Sequence, residues 1–542
     1  MRKKLVALFL GSMMAVSLLA GCGGTASDGG DGTGSTSPIQ TEGDNGEAVP
    51  EEADGAGETD RYAETVSFTM TGVNTEAGVD YGSSAVGQCI RNKFNVEFEV
   101  LPNGVDGAKE RFAIEATSGE LADMNMWLNF DWSTYYEYVD QGLFAPLPED
   151  WKERWPNLGN MVEKSGYLES LEVDGRTYGF LHSVYGMLTD VGVATAHTSL
   201  YMRTDLADQV GMEGLCEDGT ITISELKEYL QKVKAAGLVE TPVLGGPNNE
   251  ILLMFRRVFG VPDDDFYLDG DSYGWLPNHE NYPAMVSEVQ KWYQEGLLDT
   301  DFYNDTTNEY QEELFFSGQV PCMYNAADPG NIQDVTKMEG YEEGSGFGKV
   351  AVVCVTDDNG NIFANEVGNY WLCTVFSPST DEAAMERILD IVDWACTEEG
   401  SVITHIGVEG SDWNYNDDGT VETITGEQFY SGGLAYFMLG WCADDLVASG
   451  RMTPPENMPM IERCKELYRL RASGTVFPLP QGYMTYSGEL KTAYYGAINL
   501  KNLVLQIVCN GEDVESAIAN YREENRGIWE PFLDDLNAQA GR

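Results

Sequence analysis

The chain has 542 residues, 89 of them acidic against 32 basic, and a formal net charge of −57 at pH 7. Such a charge repels nucleic acid and anionic lipid headgroups at long range, and it works against polyanionic ligands unless a local basic pocket overrides the field. Four scattered histidines and ten cysteines without a CxxC pair offer no framework for zinc, and nothing in the sequence asks for a cofactor.

Arg2, Lys3 and Lys4 open the chain, and the sixteen residues Leu5 to Ala20 carry no charge. That run falls short of the roughly 20 apolar residues a bilayer crossing needs. A basic start, a short apolar run and small residues at its end describe a secretory leader instead. Its last four residues, Leu19-Ala20-Gly21-Cys22, resemble the lipobox of bacterial lipoproteins. The resemblance implies cleavage before Cys22 and lipid on its thiol and new amino group. Residues 23–60 contain almost nothing apolar and no Lys or Arg. A stretch of that composition cannot offset its own ordering entropy and is expected to be a disordered lead, spanning about 35 Å as a flexible coil.

From residue 61 onward the composition is that of a globular body, long enough for more than one core. The leader supplies three positive and the linker ten negative charges, which leaves about −50 on the body. Thr65–Gly72 alternates as a strand, Val79–Phe94 reads as a helix, and Val96–Leu101 as a second strand. Ala108–Ser118 is helical, Leu121–Leu128 a short apolar strand, and Tyr135–Gln141 the next helix. Strand, helix, strand, helix, strand is the pattern of a parallel sheet covered by helices. Asp174-Gly175 marks a hairpin. Thr198–Arg203 is then a strand and Asp205–Gly211 begins a helix. Thr222 and Glu225 form a capping box ahead of Leu226, Tyr229, Leu230 and Val233, which share one helical face. Core stripes recur in the helices Ala284–Glu295 and Asp381–Cys396. The body therefore reads as α/β, arranged as two α/β lobes. Cys354, Cys373, Cys396 and Cys509 lie in apolar runs and read as small core residues, with one or two disulfides left open among the nine body cysteines.

Three motifs suggest chemistry and fail on their details, the first and third reading as turns. Gly270-Asp271-Ser272-Tyr273-Gly274 matches the nucleophile elbow G-x-S-x-G, but "WLPNHENYP" behind it denies the prompt helix that an elbow requires. "GSGFGK" (344–349) has a misplaced first glycine, and Val350 stands where a phosphate loop needs a hydroxyl. In "DWNYNDDGT" the twelfth position of a calcium loop would be Thr425 rather than glutamate. Carboxylate pairs are too common among 89 acidic residues to single out a glycosidase.

Stretches spread along the body resemble the family 1 extracellular solute-binding proteins, the receptors of ABC importers, many of them specific for sugars. They are "ATSGELADMNMW" with "QGLFAPLPE", "VDGRTYGFLHSVYG" leading to "TSLYMRTDLADQVGM", and "FYLDGDSYGW" with "VQKWYQEGLLDTDF". "EELFFSGQVPCMYNA", "DIVDWACTEEGSVITHIGVEGSDWNYNDDG" and "NGEDVESAIANYREE" continue the order. In that family two α/β lobes, joined by chain crossings, close over a ligand by a hinge motion. The resemblance puts one lobe at 61–187 with 366–445 and the other at 188–365 with 446–542. It departs at "KAAGLVETPVLGG", which lacks the aspartate-rich calcium loop of members near the oligouronate binders.

The same resemblance supplies candidate ligand contacts, of the kinds that hold sugars: aromatic faces and planar polar groups. They are Trp127, Asn129, Asp131 and Trp132 in one loop region, Tyr324, Asn325 and Asp328 in a second, and Tyr185 and Trp371 at the crossings. Tyr483 and Tyr486 lie in a segment of the second lobe. Arg203 and Trp413 are weaker candidates, since Arg203 can simply pair with an acid and Trp413 can simply be core. For every one of these the competing reading is an ordinary packing or surface role. The expectation is a monomeric, lipid-anchored receptor outside the bacterial membrane, without catalysis, that hands a carbohydrate, an oligosaccharide by preference, to an ABC permease. A surface-anchored glycoside hydrolase and a receptor of the same fold for a peptide or other polar solute are the alternatives.

Overall fold

The computed structural model describes residues 61–539 apart from 74, 105–106, 183–192, 303, 305–307, 343–344, 369, 371 and 425–451. Strands Val66–Thr71, Val96–Leu101 and Met124–Leu128 are linked by helices Ala85–Phe94 and Ala108–Ser118 and pair in parallel, with Val66–Thr71 between the other two. A helical connection carries the chain back to the same end of the sheet, so parallel pairing follows. Leu372–Phe376, from far along the sequence, joins antiparallel to Met124–Leu128, and Gly179–His182 pairs on its other side. The register sets Phe68 opposite Phe98, and their rings stack at 5.8 Å.

The element boundaries move from their sequence readings for local reasons. Ser84 is extended and its hydroxyl caps Gly87 N–H, so the helix expected from Val79 is a 3₁₀ turn, Tyr81–Ser83, followed by Ala85–Phe94. The strand expected from Leu121 begins at Met124, because the Asp123 carboxylate takes the Thr69 N–H at 2.8 Å and its hydroxyl at 2.9 Å. The helix expected at Tyr135 starts at Trp132, where Asp131 caps it.

A second five-stranded sheet follows the order Thr220–Thr222, Val350–Thr356, Thr198–Arg203, Cys322–Ala326, Leu244–Gly245. Its central strand is antiparallel to both neighbours. The capping box of Thr222 and Glu225 opens helix Ile223–Ala236, and Leu226, Tyr229, Leu230 and Val233 are wholly buried against the sheet. Each such large side chain, fully buried, contributes about 1.5–3 kcal/mol.

Each sheet has its own hydrophobic core. The first gathers Phe112, Trp127, Tyr135 and Trp155 with the helix Glu382–Ala395; the second gathers Phe255, Trp275, Trp292 and Tyr494 with the helix Leu500–Asn510. Met484 packs against both. The body is thus α/β and two-lobed. The eight described cysteines are all free thiols, most of them buried, so no disulfide forms among the described residues. Among those residues no helix is long and apolar enough to cross a membrane.

Candidate functional site

Two described segments that link the sheets, around 195–196 and 363–366, lie side by side, and a strand of the second lobe, Thr475–Phe477, runs beside them. Thr195 bridges Glu366, Ala196 N–H donates to the Asn365 carbonyl at 3.1 Å, and Phe363–Asn365 pairs in parallel with Thr475–Phe477. Side chains from both lobes meet beside these crossings.

From the first lobe comes the loop behind Met124–Leu128. Asn129 is exposed and left-handed, with φ 55°, a conformation Asn tolerates better than most residues. This turn lets Asp131 cap the next helix, its Oδ1 accepting from Thr134 N–H at 2.9 Å and from the Ser133 and Thr134 hydroxyls at 2.8 Å each. Trp132 is buried and donates its indole N–H to the Tyr370 hydroxyl at 2.8 Å. Tyr370 stands edge-on to Tyr167 at 4.9 Å, Phe130 at 5.8 Å and Trp132 at 5.9 Å. The result is an aromatic corner with half-buried Tyr167, Phe130 and Tyr370 at its rim.

The second lobe contributes acids, one lysine and two tyrosines. Lys491 is buried; its ammonium donates to the carbonyls of Tyr483 and Met484 at 3.1 Å and lies 5.1 Å from the Tyr483 ring centre. The hydroxyls of Tyr483 and exposed Tyr495 are hydrogen-bonded to each other. Tyr494 donates to Asp265 Oδ2 at 3.1 Å.

The charges couple across the two lobes. Burial pulls the Lys491 pKa down, while Asp131 from one lobe and Asp264 from the other act to raise it. Burial would raise Asp131, but its hydrogen bonds from Thr134 and Ser133 and the charge of Lys491 hold it below the ordinary carboxylate value. Asp264 is pushed up to about 7, first by burial and then by its neighbours Asp263 and Asp265. The corner therefore offers an acceptor-rich wall, a buried lysine and aromatic faces, the chemistry that grips a polyhydroxylated solute.

The other sequence candidates are placed as follows. Trp127 is buried and stacked on Phe112 at 4.7 Å. Tyr324 is buried with its hydroxyl 3.1 Å from Arg257 Nη1, and Asn325 donates to Glu312 at 2.7 Å. Asp328 accepts from Asn331 N–H at 3.1 Å and lies 3.8 Å from His197 Nε2. Tyr483 is at the corner, whereas buried Tyr486 donates to Asp535 and packs on Phe532 at 4.9 Å. Arg203 forms a two-pronged pair with Asp205 at 2.7 and 2.6 Å. Trp413 is buried with Ile406, Val421 and Met452, and donates to the Gly407 carbonyl at 2.9 Å. Cys22, Tyr185 and Trp371 lie outside the described residues.

Sequence reasoning passed over Tyr167, Tyr370, Asp264, Lys491 and Tyr495. A lysine in "ELKTAYYG" reads as a solvated helix face, and only "DDD" at 263–265 was an available signal. Ser272 sits in an antiparallel hairpin, opposite Asp269, and no helix follows it directly. The calcium-like stretch is likewise a hairpin, Trp413–Tyr415 with Val421–Thr423, its turn closed by Asp418 on Thr420 N–H at 3.0 Å. No cluster of His, Cys, Asp and Glu suited to a metal occurs among the described residues.

No known protein-family profile matches the chain, and no curated protein sequence matches it. Solved structures do match. The alginate-binding protein AlgQ2, solved without calcium ion, superposes with a TM-score of 0.63 at 14% identity, covering 88% of this chain and 98% of its own. The S. pneumoniae ABC-transporter substrate binding protein FusA in complex with kestose gives 0.64 at 15% identity, covering 88% and 99%. The N-glycan transport solute binding protein NgtS from Streptococcus pneumoniae, in complex with Man1GlcNAc, gives 0.58 at 14%, covering 88% and 98%. At such identities the likeness is one of fold: the two-lobed architecture of periplasmic binding proteins extends over most of this chain.

Proposed function

We infer that this protein is a solute receptor that captures a carbohydrate, preferably an oligosaccharide, between its lobes and delivers it to an ABC permease. The observation that carries the reading is the electrostatic and aromatic convergence of Asp131, Trp132 and Tyr370 with Asp264, Lys491, Tyr483 and Tyr495 from the other lobe. Similar folds, among them FusA with kestose and NgtS with Man1GlcNAc, bind sugars and support it. The lobes are residues 61–187 with 366–445 and 188–365 with 446–542, and they close over the ligand. Asn129, Asp131, Tyr483 and Tyr495 contact it, with Tyr185 and Trp371 at the crossings. Lipid on Cys22 and the lead 23–60 hold the receptor, as a monomer, outside the membrane near its transporter. Capture is by closure, and no bond of the ligand is made or broken.

Thermal unfolding of the protein against mono- and oligosaccharides, with product analysis of each mixture, tests this. A ligand that binds the folded form alone adds about 2.7 kcal/mol at a hundred times its Kd. A raised midpoint with unchanged sugar is the expected result. Consumed sugar would point to a hydrolase, and a response to peptides alone would keep the fold and replace the ligand.

A further inference from the structure

Behind the crossings, inside the second lobe, lies a small cavity walled by Thr198, Arg257, Tyr324, Cys354, Phe363 and Arg471. Two guanidinium groups meet there. Arg257 donates to the Thr198 hydroxyl and is neutralised by Asp263, whose Oδ2 lies 2.7 Å from Nη2. Arg471 Nη2 donates to the Thr198 carbonyl at 3.3 Å, the His197 carbonyl at 3.2 Å and the Ser199 hydroxyl. Its Nη1 is buried and has no partner, and the residue is only 4% exposed. Among the described residues Arg471 makes no ion pair; it also lies 5.1 Å from the centre of the Tyr468 ring. Asp328, the acid on the neighbouring strand end, engages His197 and Asn331.

A buried cation without a counter-charge is strongly unfavourable. The cavity has room for about one water-sized guest, so a guest can supply what the protein does not. A guanidinium only donates hydrogen bonds. The rest of the wall is largely apolar: Met254, Val355, Ile362 and Phe363. A water there would accept the Nη1–H but leave the charge uncompensated. A small monovalent anion meets both demands. We propose that this cavity is a structural halide site, occupied by chloride, held between Arg471 and Arg257. It stands behind the strands on which the lobes are hinged, and it is independent of what the cleft captures.

The test compares the full chain, without sugar, in sodium chloride and in sodium gluconate at equal ionic strength and pH. The unfolding midpoint is expected to rise with chloride and to saturate, and bromide is expected to substitute. Arg471→Met is expected to abolish the difference between the salts. Should that variant fail to fold, crystals of the unaltered protein soaked in bromide give an independent reading, an anomalous peak between Arg257 and Arg471. Equal midpoints in both salts with no bromide at that place would overturn the proposal and leave a water as the guest.

Discussion

Asp264 shows how neighbours rather than residue type set a side chain's behaviour. Its carboxyl is raised to about 7 by burial and by Asp263 and Asp265, against the pull of Arg256 and Lys491. Between the ordinary aspartate value and 7 the folded form binds a proton that the unfolded chain has lost, so this residue makes stability fall as pH rises through that window. The loss is complete above 7 and absent below about 4. Asp264→Asn should therefore raise the unfolding midpoint at pH 8, by an amount that shrinks steadily toward pH 4. Thermal unfolding of both proteins across that range checks it; a gap of constant size would show that Asp264 is not strained by its ionisation. Of the residues at the corner, Asn129, Asp131, Trp132 and Tyr483 were candidates from the sequence, because their segments resemble ligand-contacting stretches of a known family and carry aromatic and planar polar groups. Lys491 and Tyr495 were not, since nothing local in "ELKTAYYG" says that one side chain turns inward against carbonyls while its neighbour stays exposed.

Among the elements, those whose signals are local came through almost unchanged. Ala108–Ser118, Val96–Leu101 and Thr198–Arg203 form over the residues that their patterns mark. The helix Ile223–Ala236 begins at its capping box, with Thr222 Oγ1 taking the Glu225 N–H at 3.2 Å and the Glu225 carboxylate taking Thr222 N–H at 3.0 Å. Thr222→Ala should lower stability by about 1 kcal/mol, measured by denaturant unfolding, with no change in ligand affinity. Boundaries shifted where a partner from elsewhere in the chain intervened, as Asp123 does with Thr69. The G-x-S-x-G pentapeptide belongs here as well: its five residues fit a catalytic elbow, and the following segment makes them a hairpin.

At the scale of the molecule, the main cores of the two sheets share, among the described residues, the single side chain of Met484, an arrangement compatible with the proposed hinge motion. Ligand-driven closure predicts a smaller radius of gyration in X-ray scattering on adding a sugar that raises the unfolding midpoint; an unchanged radius would mean that binding needs no hinge motion. The proposed lipid anchor makes a separate prediction. Cys22→Ser should move the protein from the membrane fraction to the soluble fraction of cells, with sugar binding unchanged, because an acyl chain and not a spanning helix is expected to hold it.

The sequence by itself determined the α/β class, the repeated core stripes, the capping box and the hairpins, because helix and strand periods, caps and turn residues act over a few positions. It also carried the acidic character that argues against nucleic acid. The tertiary structure alone decided that Leu372–Phe376 returns to pair with Met124–Leu128, that Trp127 and Tyr324 are packed inside, and that Asp131 lies within electrostatic reach of Lys491. The strand pairing and the Asp131–Lys491 interaction join residues more than two hundred positions apart, and what brings such residues together is tertiary packing, which no local pattern encodes.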